Sequence, residues 1–122
     1  MIGKFEVTQS AHSTFMFHLR ADNGSVILVG PAHATKDDAL AAIDEARRSA
    51  AVPERFERLE QPPGKVCFVL TSPGGDVLGY SQAYASKSAL ENGIASVARN
   101  GAEAVLVDMA CERRRVVARQ VG

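Results

Sequence analysis

Residues 15–21, FMFHLRA, alternate: Phe15, Phe17 and Leu19 fall on one side, and Met16, His18 and Arg20 on the other. A period of two over that length predicts a β-strand with one buried face. Asp22-Asn23-Gly24 then reads as a hairpin turn, because Asn and Gly accept positive φ, and VILVG (26–30) is the return strand. FEVTQ (5–9) predicts a short opening strand. Beyond the hairpin the period changes. Thr35 is placed to cap a helix, with Asp37 and Asp38 in its first turn, where the helix dipole favours negative charge. That helix is predicted to reach about Ala50, with Pro53 beyond it. In the second half, ERFERLE (54–60), KVCFVLT (65–71) and DVLGYS (76–81) predict strands, with PGGD as the turn. Ser86, or Ser88 with Glu91 as a capping box, starts the next helix, and Asn100-Gly101 is predicted to end it in a left-handed conformation. AEAVLVDM (102–109) is the last predicted strand.

The two halves are copies. Shifting the chain by 51 residues lays 15–48 on 66–99 without a gap, and nine of the 34 positions are identical, among them Phe17/Phe68, Leu19/Leu70, Gly24/Gly75, Lys36/Lys87 and Ile43/Ile94. The same shift carries Phe5-Glu6 onto Phe56-Glu57 and Phe56 onto Val107, so a related strand closes the second unit. The chain is a tandem duplication, with units at about 3–53 and 54–109 forming one domain, 1–109, and a basic tail at 110–122.

Gly93 sits inside the second helix, where glycine costs roughly 1 kcal/mol against alanine. Leu90, Ile94 and Val97 form the buried stripe at i, i+4 and i+7, with Gly93 at its edge and the small Ala42 as its first-unit counterpart. Close packing of the helix backbone on the sheet explains a small residue there better than a ligand site does, since no glycine-rich phosphate loop surrounds either copy. The expected core is Phe5, Phe15, Phe17, Leu19, Ile43, Phe56, Phe68, Leu70, Leu90, Ile94 and Val97.

The second unit resembles the YegP-like family, bacterial proteins of unknown function, through Tyr84, Ser86-Lys87, Glu91, Gly93-Ile94, Ser96-Val97 and Asn100. The first unit does so through Gly3-Lys4-Phe5-Glu6, Asn23-Gly24 and Ile27, and the resemblance runs to about Asp108. It departs at Gly30-Pro31, where the family has Ser-Glu, at His33 for Tyr and at Ala42 for Gly. The resemblance implies an α+β fold: tandem β-β-β-α-β repeats sharing one mainly antiparallel sheet, with two helices on one face. It carries no catalytic residues.

Charge narrows the function classes. Lys+Arg and Asp+Glu are equal at 14 each, so no global field recruits nucleic acid or an anionic membrane. No apolar run approaches the roughly 20 residues that span a bilayer, and MIGKFEVTQS lacks the features of a signal peptide. Cys67 and Cys111 make no CxxC pair, so a reduced, cytoplasmic protein is expected.

His12, His18 and His33 lack metal-site spacing and read as polar surface positions; no metal or cofactor is expected. His33, Lys36, Asp37 and Asp38 lie together, but their counterparts Tyr84, Lys87, Ser88 and Ala89 cannot do acid–base work, so enzyme chemistry is the weaker reading. Lys36 and Lys87 recur in the first turn of each helix as candidate anion contacts. Arg113, Arg114, Arg115 and Arg119 form a candidate contact for phosphate or an acidic partner, acting over about 8–10 Å. Base stacking on the sheet would need Phe15, Phe17 and Phe68, which alternation assigns to the core, so an RNA binder is the alternative to a non-catalytic interaction module. Both halves lie in one chain, so a monomer is expected, with Met16, Cys67 and Val69 as an apolar patch on the face away from the helices.

Overall fold

The computed structural model describes residues 3–10 and 13–109. They form β1 (Lys4–Gln9), β2 (Phe15–Arg20), β3 (Val26–Val29), α1 (Lys36–Ala50), β4 (Phe56–Gln61), β5 (Lys65–Thr71), β6 (Val77–Tyr80), α2 (Lys87–Glu103) and β7 (Val105–Asp108), with a 3₁₀ turn at Pro53–Arg55 leading into β4. His12, Cys111 and the four tail arginines Arg113, Arg114, Arg115 and Arg119 lie outside the described residues.

The strands make one sheet in the order β4-β5-β6-β3-β2-β1-β7. Neighbours pair antiparallel except β1 with β7, which run parallel. Both helices pack on one face, giving the expected α+β fold of tandem β-β-β-α-β units. The junction between units is the β3–β6 pair, where Val29 lies opposite Tyr80, its own counterpart under the 51-residue shift. A residue that pairs with its own copy marks a pseudo-twofold axis. Irregular features repeat across it as well. The register slips between Leu19 and Arg20 in one half and between Leu70 and Thr71 in the other. Phe15 bridges His33, and Val66 bridges Tyr84. Gly24 and Gly75 close the two hairpins with φ of 91° and 93°.

The symmetry breaks where two copies of one side chain would collide. Leu28 is buried near the axis, and its counterpart is Gly79. A Cβ on Gly79 would stand 2.7 Å from the Leu28 Cγ, so one leucine fills the space and the other copy gives way.

Alternation sends Phe5, Val7, Phe17, Leu19, Phe68 and Leu70 into the core, where α1 contributes Ile43 and α2 contributes Leu90, Ile94 and Val97. The aromatic rings meet edge to face in both halves, Phe5 with Phe17 at 5.9 Å and Phe56 with Phe68 at 5.7 Å. Phe15, expected in the core, is partly buried and packs against it from the rim.

The helix starts follow from their caps. The Thr35 and Ser86 hydroxyls accept from the N–H groups of Asp38 and Ala89, at 3.0 and 3.1 Å. With Ser86 as the cap, Ser88 lies inside the helix and makes no capping box with Glu91, whose carboxylate is held by Arg58 of β4. The end of α2 also differs from expectation. The helix passes through Asn100-Gly101 to Glu103, which shortens the last strand to Val105–Asp108. Asn100 stays helical and uses its side chain as a link: Nδ2 donates to Ser96 O at 2.9 Å, and Oδ1 accepts from Asp22 N at 3.2 Å. Gly101 packs against α1, where an added Cβ would lie 3.3 Å from Ala50 Cβ.

Gly93 does have a packing reason, though its partner is a side chain. A Cβ there would land on the Tyr84 phenol, whose ring stacks on Phe68 with centroids 6.3 Å apart and planes at 9°. The first unit solves the same problem with a smaller ring and a larger helix residue, His33 and Ala42.

Candidate functional site

The helix-free face of the sheet is crossed by one continuous row of paired residues. Register places Glu57, Val69, Tyr80, Val29, His18, Glu6 and Val107 side by side, one from each strand. The middle of the row is apolar. Around it, Leu59 pairs with Cys67 and Val77 with Thr71, so both point to this face, as does Val105 opposite Lys4. Leu59, Val77, Tyr80 and Val105 are 42%, 47%, 43% and 46% exposed on this face, the first three on β4 and β6 and Val105 at the far edge on β7. Of the expected patch, Val69 and Met16 are half-buried and Cys67 is buried, so the exposed apolar area comes from these other residues.

One end of the row is charged. His18 Nε2 lies 2.6 Å from Glu6 Oε1, and Arg20 Nε donates to the same oxygen at 2.9 Å. Arg20 also donates through Nη1 to Gly24 O, which fixes its guanidinium over the hairpin. The Glu6 side chain is only 12% exposed. The Arg20 hydrogen bond, with His18 behind it, holds the Glu6 carboxyl below the usual carboxylate range against the opposing effect of burial. An ionised Glu6 can only accept, so Nε2 of His18 carries the proton in that contact. A carboxylate held this way is a weak base with both neighbours engaged, which suits a fixed polar margin rather than proton transfer. In the second unit the carboxylate persists as Glu57, while His18 and Arg20 are replaced by Val69 and Thr71. The first half of the face therefore carries a linked charged cluster that the second half lacks.

His18 is thus a partner of Glu6 rather than a free surface group. The backbone of His33 bridges Phe15, and its Nε2 is buried without a hydrogen-bond partner. Among the described residues no group of three or more His, Cys, Asp or Glu could hold a metal ion. No helix among the described residues is long and apolar enough to cross a membrane. Burial pushes the Tyr84 phenol up from its ordinary value.

The two recurring lysines have different fates. Lys36 Nζ holds Asp108 Oδ2 at 2.6 Å, tying α1 to β7. Lys87 is exposed, and among the described residues no hydrogen bond or ion pair reaches it. It lines a cavity of about 240 Å³ between β4 and α2, over whose mouth Arg58 donates to both Glu91 oxygens at 2.5 and 2.8 Å. That pair holds the Glu91 carboxyl low and the Arg58 guanidinium high. The structure does not bring Lys36 and Lys87 together: Lys36 stands near β7 at one edge of the sheet and Lys87 near β4 at the other.

Comparison with known proteins recovers the duplication. A domain of unknown function, DUF1508, matches residues 11–57 and again 63–108. A UPF0339 protein of Pseudomonas aeruginosa is 38% identical over 108 residues, 88% of this chain and 98% of its own. The UPF0339 protein YegP of Escherichia coli K12 is 35% identical over the same length and shares. The solution NMR structure of E. coli yegP, a protein of unknown function, superposes with a TM-score of 0.85 at 34% identity, covering 92% of this chain and 97% of that one. The NMR structure of a UPF0339 protein from Shewanella oneidensis gives 0.87 at 30% identity, covering 94% and 98%. Two matched repeats, that level of identity along most of the chain and the shared fold make this chain a member of the YegP-like family of DUF1508 proteins.

Proposed function

We propose that the protein is a non-catalytic interaction module, monomeric and cytoplasmic, that holds a protein partner on the helix-free face of its sheet. The observation that carries this reading is the exposure of Leu59, Val77 and Tyr80, at 42–47%, on β4 and β6 of a face that neither helix covers. An exposed apolar area with a polar rim is the ordinary form of a protein contact surface. Here Glu6, His18 and Arg20 supply a charged margin whose geometry is already fixed before binding. The β3–β6 junction supports a monomer, since the contact that joins two units is made inside one chain. Phe17 and Phe68 are fully buried, which removes them as stacking platforms for bases and favours a protein over RNA.

Affinity capture from the native cell, with mass spectrometry before and after nuclease treatment, tests this. Tyr80→Glu and Leu59→Glu place charge on the proposed surface, and Asp44→Lys on the exposed side of α1 serves as control. Partners that survive nuclease should be lost with the sheet variants and kept with the control. Capture that depends on nucleic acid, or that is indifferent to Tyr80→Glu and Leu59→Glu, overturns the proposal.

A further inference from the structure

Duplication gives each feature of one half a counterpart in the other, and one feature stands without it. β7 lies parallel to the outer edge of β1, whereas β4, the counterpart of β1, ends the sheet at the opposite side. On the β1 side the slot is filled. Val105 N donates to Gly3 O at 3.0 Å and Met109 N to Val7 O at 2.9 Å. Asp108, paired with Val7, reaches Lys36 above it at 2.6 Å.

On the β4 side no strand among the described residues fills the same slot. The repeat puts Lys87 where Lys36 stands and Arg58 where Val7 stands. The cavity between β4 and α2 has Val66 and Leu90 in its lining, with Arg58 and Lys87 at its rim. The two cations therefore converge on the register position that holds an aspartate in the filled copy.

We propose that the β4 edge accepts an extended peptide of a partner protein, parallel to β4, in which a short apolar run is followed by an acidic residue. The chain's own Val105-Leu106-Val107-Asp108 shows the chemistry that fits such a slot: backbone pairing gives the attachment, and the carboxylate sets the register. On β4 that carboxylate falls opposite Arg58 and beneath Lys87, a charge-assisted contact on both sides. Arg58 must share or release Glu91 for this, and their side chains are 48% and 52% exposed, a setting in which an ion pair adds little stability. This edge is separate from the sheet face proposed above, and neither depends on the other.

The probe is a capped synthetic peptide of residues 103–109, EAVLVDM, titrated into the isotopically labelled full chain and followed by amide NMR. Shifts are expected along Phe56–Gln61 and at the start of α2. Lys87→Glu, a change at an exposed position, should weaken binding by about tenfold or more, as should Asp→Asn in the peptide, which leaves the protein untouched. No shifts at millimolar peptide, shifts confined to β1, or equal affinity for the Asn peptide would overturn the proposal. Shifts of β4 that grow with protein concentration alone would assign the edge to a second copy, and would overturn it as well.

Discussion

Replacing Gly93 by alanine sets two known effects against each other. Alanine improves helix propensity at an interior position by about 1 kcal/mol. Its Cβ, however, would stand 2.7 Å from Cζ of Tyr84 and closer still to the phenol oxygen. The ring would have to leave its stack on Phe68, a contact of about 0.5–1.5 kcal/mol, and overpacking adds about 1–3 kcal/mol. The net expectation is a loss of about 1–3 kcal/mol. The first unit indicates the remedy, since its residues at the corresponding positions are His33 and Ala42. Gly93→Ala with Tyr84→His copies that pairing and should recover most of the loss, giving a coupling energy of about 1 kcal/mol or more. The chain has no Trp, so urea unfolding of wild type, both single variants and the double variant is best followed by far-UV circular dichroism. A stabilised Gly93→Ala, or effects additive to within about 0.5 kcal/mol, would refute the reasoning.

The depressed Glu6 carboxyl has a pH consequence. Its folded value lies below its ordinary one of 4.5, so its stabilising contribution is present above that value and is lost as pH falls through the folded one. Glu6→Gln should therefore flatten the acid side of the stability curve, and a slope equal to wild type below about pH 4.5 in urea unfolding would contradict the assignment. Deleting residues 112–122 should leave the melting temperature unchanged and, if the arginines hold an acidic partner, remove that partner from a capture experiment. Loss of the fold on deletion would make the segment structural.

Features with a local cause were legible in the sequence. Alternation located β2 and β5, Asn23-Gly24 and Gly74-Gly75 located the hairpins, and Thr35 and Ser86 located the helix starts. The 51-residue shift extended each such reading to its copy. Features set by long-range pairing were not legible. Asn100-Gly101 carries the local signature of a helix end, yet its role is decided by Asp22 and Ala50, which no local pattern connects to it. Arg58 and Glu91 lie 33 positions apart and meet only once β4 and α2 are placed. The Glu6–His18–Arg20 cluster depends on the register of β1 against β2. Alternation put His18 and Arg20 on one face without fixing which β1 residue lies opposite. The reason for Gly93 was legible as packing, but Tyr84 as its partner emerged only from the strand-to-helix geometry.

On the proposed reading a partner sits on the helix-free face. Methyl cross-saturation NMR tests it most directly: a captured, nuclease-resistant protein is irradiated, and transfer to the methyl groups of the labelled chain is read. Saturation is expected at Val29, Leu59, Val69 and Val77, with Leu40 and Ala41 on α1 silent. Saturation of Leu40 and Ala41 with Val29, Leu59 and Val69 silent would contradict it.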